Sequence, residues 1–350
     1  MNARRRIGEL LVIAGCLFSS ACSSADDVDI QGAGATFPAP LYKRWFREFY
    51  KKNPDVRVNY LAIGSGAGIR QFNEGLTDFG ASDAFEKKLK GDSYRGEGPF
   101  MLPMTAGSIA ICYNLPNGPA ELRLSREVYV DVFLGKITAW NHPLIAKDNS
   151  SATLPDTDIT VIRRADSSGT TFAFTNHLNA IGKNWRKENG GPGVGKSILW
   201  PTGLGGKGNP GVAALVKLTP GAIGYLEYGY AEFAGLSMAH LQNKAGKFAA
   251  PSPESGRASL SGPNEKKMPE NLHIEITDPE GDGAYPIVTY TWMLCYRKYT
   301  NPKVGAPLKK VLEYCLTDGQ KISAELGYLP LPARVQKKSL GLVKKIEIGD

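Results

Sequence analysis

The run Arg163-Arg164-Ala165-Asp166-Ser167-Ser168-Gly169-Thr170-Thr171 sets a guanidinium, a carboxylate, hydroxyls and a glycine side by side. A β-branched apolar run at residues 159–162 precedes it and reads as a strand, and residues 170–178 suit a helix. Small polar residues between the two fit a helix start. Such a start exposes unpaired N–H groups and carries partial positive charge. Joined to a guanidinium that grips two oxygens at once, it makes an oxyanion socket. The same residues also suit an ordinary strand–turn–helix with an N-cap serine, and this stretch alone does not separate the readings.

A second stretch, residues 31–42, repeats the design with glycines, Thr36 and then an amphipathic run. Residues 62–68 (AIGSGAG) and 77–84 (TDFGASDA) follow, then FLGKI at 133–137, GLGGKGN at 203–209 and GAIGY at 221–225. In order and spacing these segments resemble the periplasmic phosphate-binding proteins of high-affinity phosphate ABC importers, over roughly residues 29 to 335.

The resemblance implies an α/β, two-lobed periplasmic-binding-protein (flytrap) fold that closes on one phosphate. It implies ligand donors at Thr36, at Phe37 through its backbone, and at Ser65, with Asp83 accepting the ligand's proton. Arg164 would make the charge-assisted contact and Asp166 would orient it, while Ser168, Gly169 and Thr170 supply N–H and hydroxyl donors. In the family the residue before this serine is commonly glycine; here Ser167 adds a side chain at the turn. The implied partners are inorganic phosphate and an inner-membrane permease with its ATPase. No cofactor is implied, and a monomer is expected. Asp83 has a physical rationale too. A carboxylate in an anion socket repels the anion unless the ligand carries a proton, which phosphate does near neutral pH and sulfate does not. The alternative reading of Asp83 is a surface helix cap.

Other motifs fit less well. Residues 190–197 satisfy the pattern G-x-x-x-x-G-K-[ST], but the run before them is helical and polar, and Pro201 and Gly203 stop the one after. A phosphate-cradling loop follows a buried strand and opens a helix, so Lys196 is expected to take no part in ligand binding. Gly64-x-Gly66-x-Gly68 lacks the dinucleotide spacing. His142, His177, His240 and His273 have no metal-ligand spacing. Ser168 has no nucleophile elbow and no recognisable base. A secreted phosphatase, or a receptor for another oxyanion, remains the alternative function.

The elements that hold these residues alternate. A strand at 28–30, a helix at 41–52, a strand at 56–61, a helix from 68 and a strand at 79–82 indicate a parallel sheet covered by helices. Ligands of such sheets sit beyond the carboxyl ends of the strands, where Thr36, Ser65 and Asp83 fall. A strand at 108–114 leaves this unit, residues 251–283 read as an irregular excursion, and a strand at 287–294 returns. The expected domains are residues 27–105 with 285–350 as lobe 1, and 106–284 as lobe 2. Two crossings make a natural hinge.

With 350 residues, 42% apolar and 22% charged, the composition is that of a soluble globular chain. The net charge of +8 comes from scattered lysines, with no basic run interleaved with aromatics, which argues against nucleic acid. Residues 1–21 read as an export signal: Arg4-Arg5-Arg6, a short apolar run, then Ser19-Ser20-Ala21. Cys22 is the expected lipid acceptor, giving a periplasmic protein tethered at the membrane. Cleavage after Ala21 or Ala25, or use of Cys16, is the competitor. Cys112, Cys295 and Cys315 sit in apolar runs and read as buried free thiols, with a Cys295–Cys315 bridge the alternative.

Overall fold

The computed structural model describes residues 27–87, 89–90, 98–266 and 268–349; the expected export signal and lipid acceptor, residues 1–21 and Cys22, lie outside them. In β1 (Val28–Gly34) Ile30 faces the core, and the strand ends in the small residues that the site requires. Helix α1 (Ala39–Lys52) starts at a proline and buries Leu41, Tyr42, Trp45, Phe46 and Phe49. Lys51 and Lys52 sit in its last turn, where cations suit the helix dipole. The helix returns the chain to β2 (Val56–Ala62), which pairs parallel with β1, as a helical crossover demands. Helix α2 (Ser65–Asn73) and β3 (Phe79–Ser82), parallel to β1 on its other side, complete this unit.

The next strand, β4 (Phe100–Asn114), is 15 residues long and buried almost throughout. Beyond it come α3 (Arg126–Phe133), β5 (Thr160–Arg164), α4 (Gly169–Ile181), β6 (Leu204–Gly206), α5 (Gly208–Leu218), β7 (Ala222–Glu227), α6 (Tyr228–Ala234) and α7 (Pro253–Leu260). The chain returns through β8 (Val288–Cys295) to α8 (Pro302–Leu316), α9 (Asp318–Ser323) and α10 (Ala333–Lys344). The strand order is β2-β1-β3-β8-β4-β7-β5-β6. Residues 100–108 of β4 pair with β8, and residues 109–114 pair with β7. One strand thus runs from the first lobe into the second, and β8 leads back.

The parallel sheet expected from the sequence holds for β2-β1-β3 and for β7-β5-β6. At the centre it does not: β8 runs antiparallel to β3 and β4, and β4 antiparallel to β7. The cause is the route of the chain, because a strand that returns from the second lobe enters the first from the opposite end. The excursion at 251–283 is also more ordered than its composition suggests. Ser252 and Ser255 form a reciprocal capping box with Pro253 in the first turn, so the residues that looked like loop formers start α7. Cys112, Cys295 and Cys315 are buried free thiols, and the alternative bridge does not form. Among the described residues no helix is long and apolar enough to cross a membrane.

Candidate functional site

Arg164 is the last residue of β5, and its side chain is enclosed. Asp166, two residues on, holds it in a fork: Nε donates to Oδ1 at 2.8 Å and Nη2 to Oδ2 at 2.5 Å. Burial alone would raise the Asp166 carboxyl, but the guanidinium and the Gly208 N–H outweigh it and hold it below its usual value. The fork consumes two of the five guanidinium hydrogens and orients the rest. Nη1 reaches Thr170 Oγ1 at 3.2 Å.

Ser168 is the N-cap of α4, its Oγ accepting from Thr171 N at 3.0 Å. The N-cap reading of this stretch therefore holds, and the helix that the serine opens starts opposite Ser65. Gly169 N donates to Ser65 Oγ at 3.0 Å, from one lobe to the other. Glycine is required here: a Cβ would lie 2.6 Å from Ser65 Oγ and 2.7 Å from Asp83 Cβ. Gly64, just before α2, has φ +91°, and a side chain there would run into Asp166. Ser167 replaces the usual glycine without breaking the turn. Its carbonyl accepts from Gly66 N at 3.0 Å, and the missing side chain of Gly66 makes room for its hydroxyl.

Asp83 follows β3 and is buried. Thr291 Oγ1 donates to its Oδ1 at 2.9 Å and Thr170 Oγ1 to its Oδ2 at 3.4 Å. Burial pushes its carboxyl up to about 7, against the lowering effect of Thr291, Arg164 and Thr170. It can therefore exchange a proton near neutral pH, and it is not the surface cap of the bland reading. Thr36 and Phe37 lie between β1 and α1. Thr36 Oγ1 accepts from Asn209 N and Nδ2 at 3.1 and 3.0 Å. The Phe37 carbonyl accepts from Tyr328 OH at 2.6 Å. The structure thus gathers Thr36, Phe37, Ser65, Asp83, Arg164, Asp166, Ser168, Gly169 and Thr170 at the junction of the lobes. Donors and acceptors are matched across the cleft.

Residues beyond those picked from the sequence complete the arrangement. Asn209, fully buried at the start of α5, ties Thr36 to the second lobe, and its Oδ1 accepts from Glu227 N at 3.0 Å. Glu227 caps α6 through Gly229 N and Tyr230 N, and burial raises its carboxyl to about 8. Tyr225 OH lies 2.6 Å from Thr171 Oγ1, and Tyr230 OH donates to the Thr36 carbonyl at 2.7 Å. Asn209 closes one of the glycine-rich segments that carried the resemblance, a placement with no role attached. Thr291 gave no signal, being one β-branched residue among others in an apolar strand.

The 190–197 segment lies after α4 and two short 3-10 turns and is followed by irregular chain, the wrong setting for a phosphate-cradling loop. Among the described residues no group of three or more His, Cys, Asp or Glu side chains is placed to hold a metal ion.

A family model for the PBP superfamily domain matches residues 19–318. The phosphate-binding protein PstS of Pasteurella multocida is 39% identical over 328 residues, covering 93% of each chain. The phosphate-binding protein PstS of Methanocaldococcus jannaschii is 36% identical over 363 residues, covering 97% of this chain and 92% of that one. In fold, the chain is similar to a putative phosphate ABC transporter substrate-binding protein with bound phosphate from Clostridium perfringens. There the TM-score is 0.60 at 20% identity, covering 87% of this chain and all of that one. The chain belongs to the PBP superfamily and, within it, to the family of phosphate-binding proteins.

Proposed function

We propose that this protein binds inorganic phosphate between its two lobes in the periplasm and delivers it to an ABC-type import permease with its ATPase. The observation that carries this reading is the pairing, in one buried site, of a guanidinium oriented by Asp166 with the Asp83 carboxyl, itself held by Thr291 and Thr170. The first supplies charge for an oxyanion, and the second accepts from an oxyanion that still carries a proton. Thr36, Ser65, Ser168 and Thr170 contribute hydroxyls, and Phe37, Gly169 and Thr170 contribute backbone N–H groups. Asp166 acts through Arg164. The ligand replaces the bonds that now run directly between the lobes, such as Gly169 N to Ser65 Oγ and Thr170 Oγ1 to Asp83 Oδ2. Exchange of one set for the other lets the cleft open and close without stranding buried polar groups.

The working units are residues 27–105 with 285–350, and residues 106–284. The protein works as a monomer, held at the membrane by lipid on Cys22. Equilibrium binding of radiolabelled phosphate to the purified protein tests the central reading, with sulfate and arsenate as competitors. A chromogenic phosphate ester incubated with the same sample is expected to stay intact. Intact-mass measurement of the exported protein tests the anchor: a mature chain lacking Cys22, or carrying it without lipid, refutes it.

A further inference from the structure

The segment that carries Asp83 continues into Phe85 and Glu86, and both reach the other lobe. Glu86 Oε2 lies 2.9 Å from Lys196 Nζ, with both side chains more than two-thirds buried. Phe85 stacks on His273 of the long excursion. The other end of the ion pair is firmly mounted. The Lys196 carbonyl accepts from Ser168 N at 2.8 Å, Gly195 N donates to Thr175 Oγ1 at 3.3 Å, and Trp185 Nε1 donates to the Gly193 carbonyl at 2.8 Å. Lys196 is thus fastened by its backbone to the start of α4, where the N–H donors are, and by its side chain to the chain that carries Asp83.

We propose that Glu86 and Lys196 form a clasp across the cleft that stabilises the closed form and slows release of the ligand. They are positioning residues: neither side chain reaches the socket, and Lys196 meets it only through its carbonyl, at Ser168 N. The proposal rests on the phosphate-binding reading. It also reverses the expectation that Lys196 is irrelevant to binding. The lysine does not cradle a phosphate; it holds the lobes in register so that Asp83 meets Thr170 and Ser65 meets Gly169. Opening the cleft returns both charges to water, so the pair favours the closed state by its attraction less the cost of partial desolvation, and does nothing for the open state. A partly exposed ion pair contributes modestly, and the expected effect is about a three-fold faster phosphate release in Lys196→Ala and in Glu86→Gln. Association should change little.

Stopped-flow release of labelled phosphate measures this, at low and at high salt. The wild-type advantage should shrink as salt rises, because partly exposed charges are screened. The double variant Glu86→Lys/Lys196→Glu should recover the slow release that either single reversal loses, an outcome a purely structural role would not produce. Unchanged release rates in both Lys196→Ala and Glu86→Gln, or failure of the double reversal to recover, would overturn the clasp. Single-molecule fluorescence between dyes on the two lobes supplies a readout that needs no ligand. There the single variants should lower the closed fraction, and equal closed fractions would also overturn the proposal. If the wild type binds no phosphate, the functional reading fails, and this second measurement still judges the clasp.

Discussion

In the proposed function Arg164 and Asp83 divide the recognition of an oxyanion between them, and each is testable alone. Charge-assisted hydrogen bonds contribute about 1.5–3 kcal/mol each, and Arg164 keeps hydrogens for two after Asp166 has taken its share. Arg164→Ala should therefore weaken phosphate binding by about two to four orders of magnitude in calorimetric titration. Arg164→Lys should recover only part, because a point charge cannot reproduce the fork. Wild-type affinity in Arg164→Ala would refute the socket assignment. The role proposed for Asp83 is selectivity. Sulfate has no proton to offer, and an unanswered carboxylate facing an anion in a desolvated site costs on the order of several kcal/mol. At pH 8.5, where Asp83 is ionised, the wild type should ignore a large excess of sulfate in competition with labelled phosphate. Asp83→Asn should lose much of that discrimination, since an amide can donate to sulfate as well as accept from phosphate. These two residues were legible in the sequence because charged residues among glycines and small hydroxyls have few structural uses. Asn209 and Thr291 were not, because a buried amide or hydroxyl announces itself only when its partners, Thr36 and Asp83, are seen beside it.

Glycine-bounded helix starts do most of the work at the level of elements. Two of them, α2 and α4, face each other so closely that Gly169 has no room for a methyl group. Gly169→Ala should leave the fold intact, since the position begins a helix, yet hold the lobes apart. The checks are a larger radius of gyration by small-angle scattering with phosphate present and a phosphate affinity lowered at least ten-fold. A compact, tightly binding variant would refute this. Asn209 at the start of α5 gives a complementary case. Asn209→Ala removes one of the two donors to Thr36 Oγ1, which keeps the backbone N–H of residue 209, leaves Glu227 N without its side-chain acceptor, and should cost about 1–3 kcal/mol of stability, read as a lower denaturant midpoint. Helices and parallel strands could be read from periodicity because each is a local pattern. The join of β4 with β8 could not. Thr291 pairs with Thr105 and Trp292 with Pro103, so the register slips at Met104, and Thr291 there meets Asp83. A bulge that aims a side chain depends on the partner strand, which lies far away in sequence.

At the scale of the whole molecule, charge is stored where the lobes meet. Asp83 titrates at about 7 in the folded protein against 3.8 in a free carboxyl, and Glu227 at about 8 against 4.5. Both are raised, so each contributes most to stability below its unfolded value and loses that contribution as pH rises through its folded value. Asp166 is lowered and works in the opposite sense, losing its contribution as pH falls. Phosphate-free protein should therefore melt at a lower temperature at pH 8.5 than at pH 5.5. Asp83→Asn should flatten part of that slope, whereas an identical slope in the variant would refute the assignment. The two-lobed outline was legible because the chain departs and returns through apolar strands, but the antiparallel centre was hidden in the direction of return. That centre has a consequence for how the protein comes apart. A strand of 15 residues is a rung for the first lobe along one half and for the second along the other. Tearing either lobe open strips hydrogen bonds from the edge of its neighbour, so neither has an independent fate. The chain resembles two rooms under one roof beam, and calorimetry should record a single melting event, with calorimetric and van't Hoff enthalpies equal.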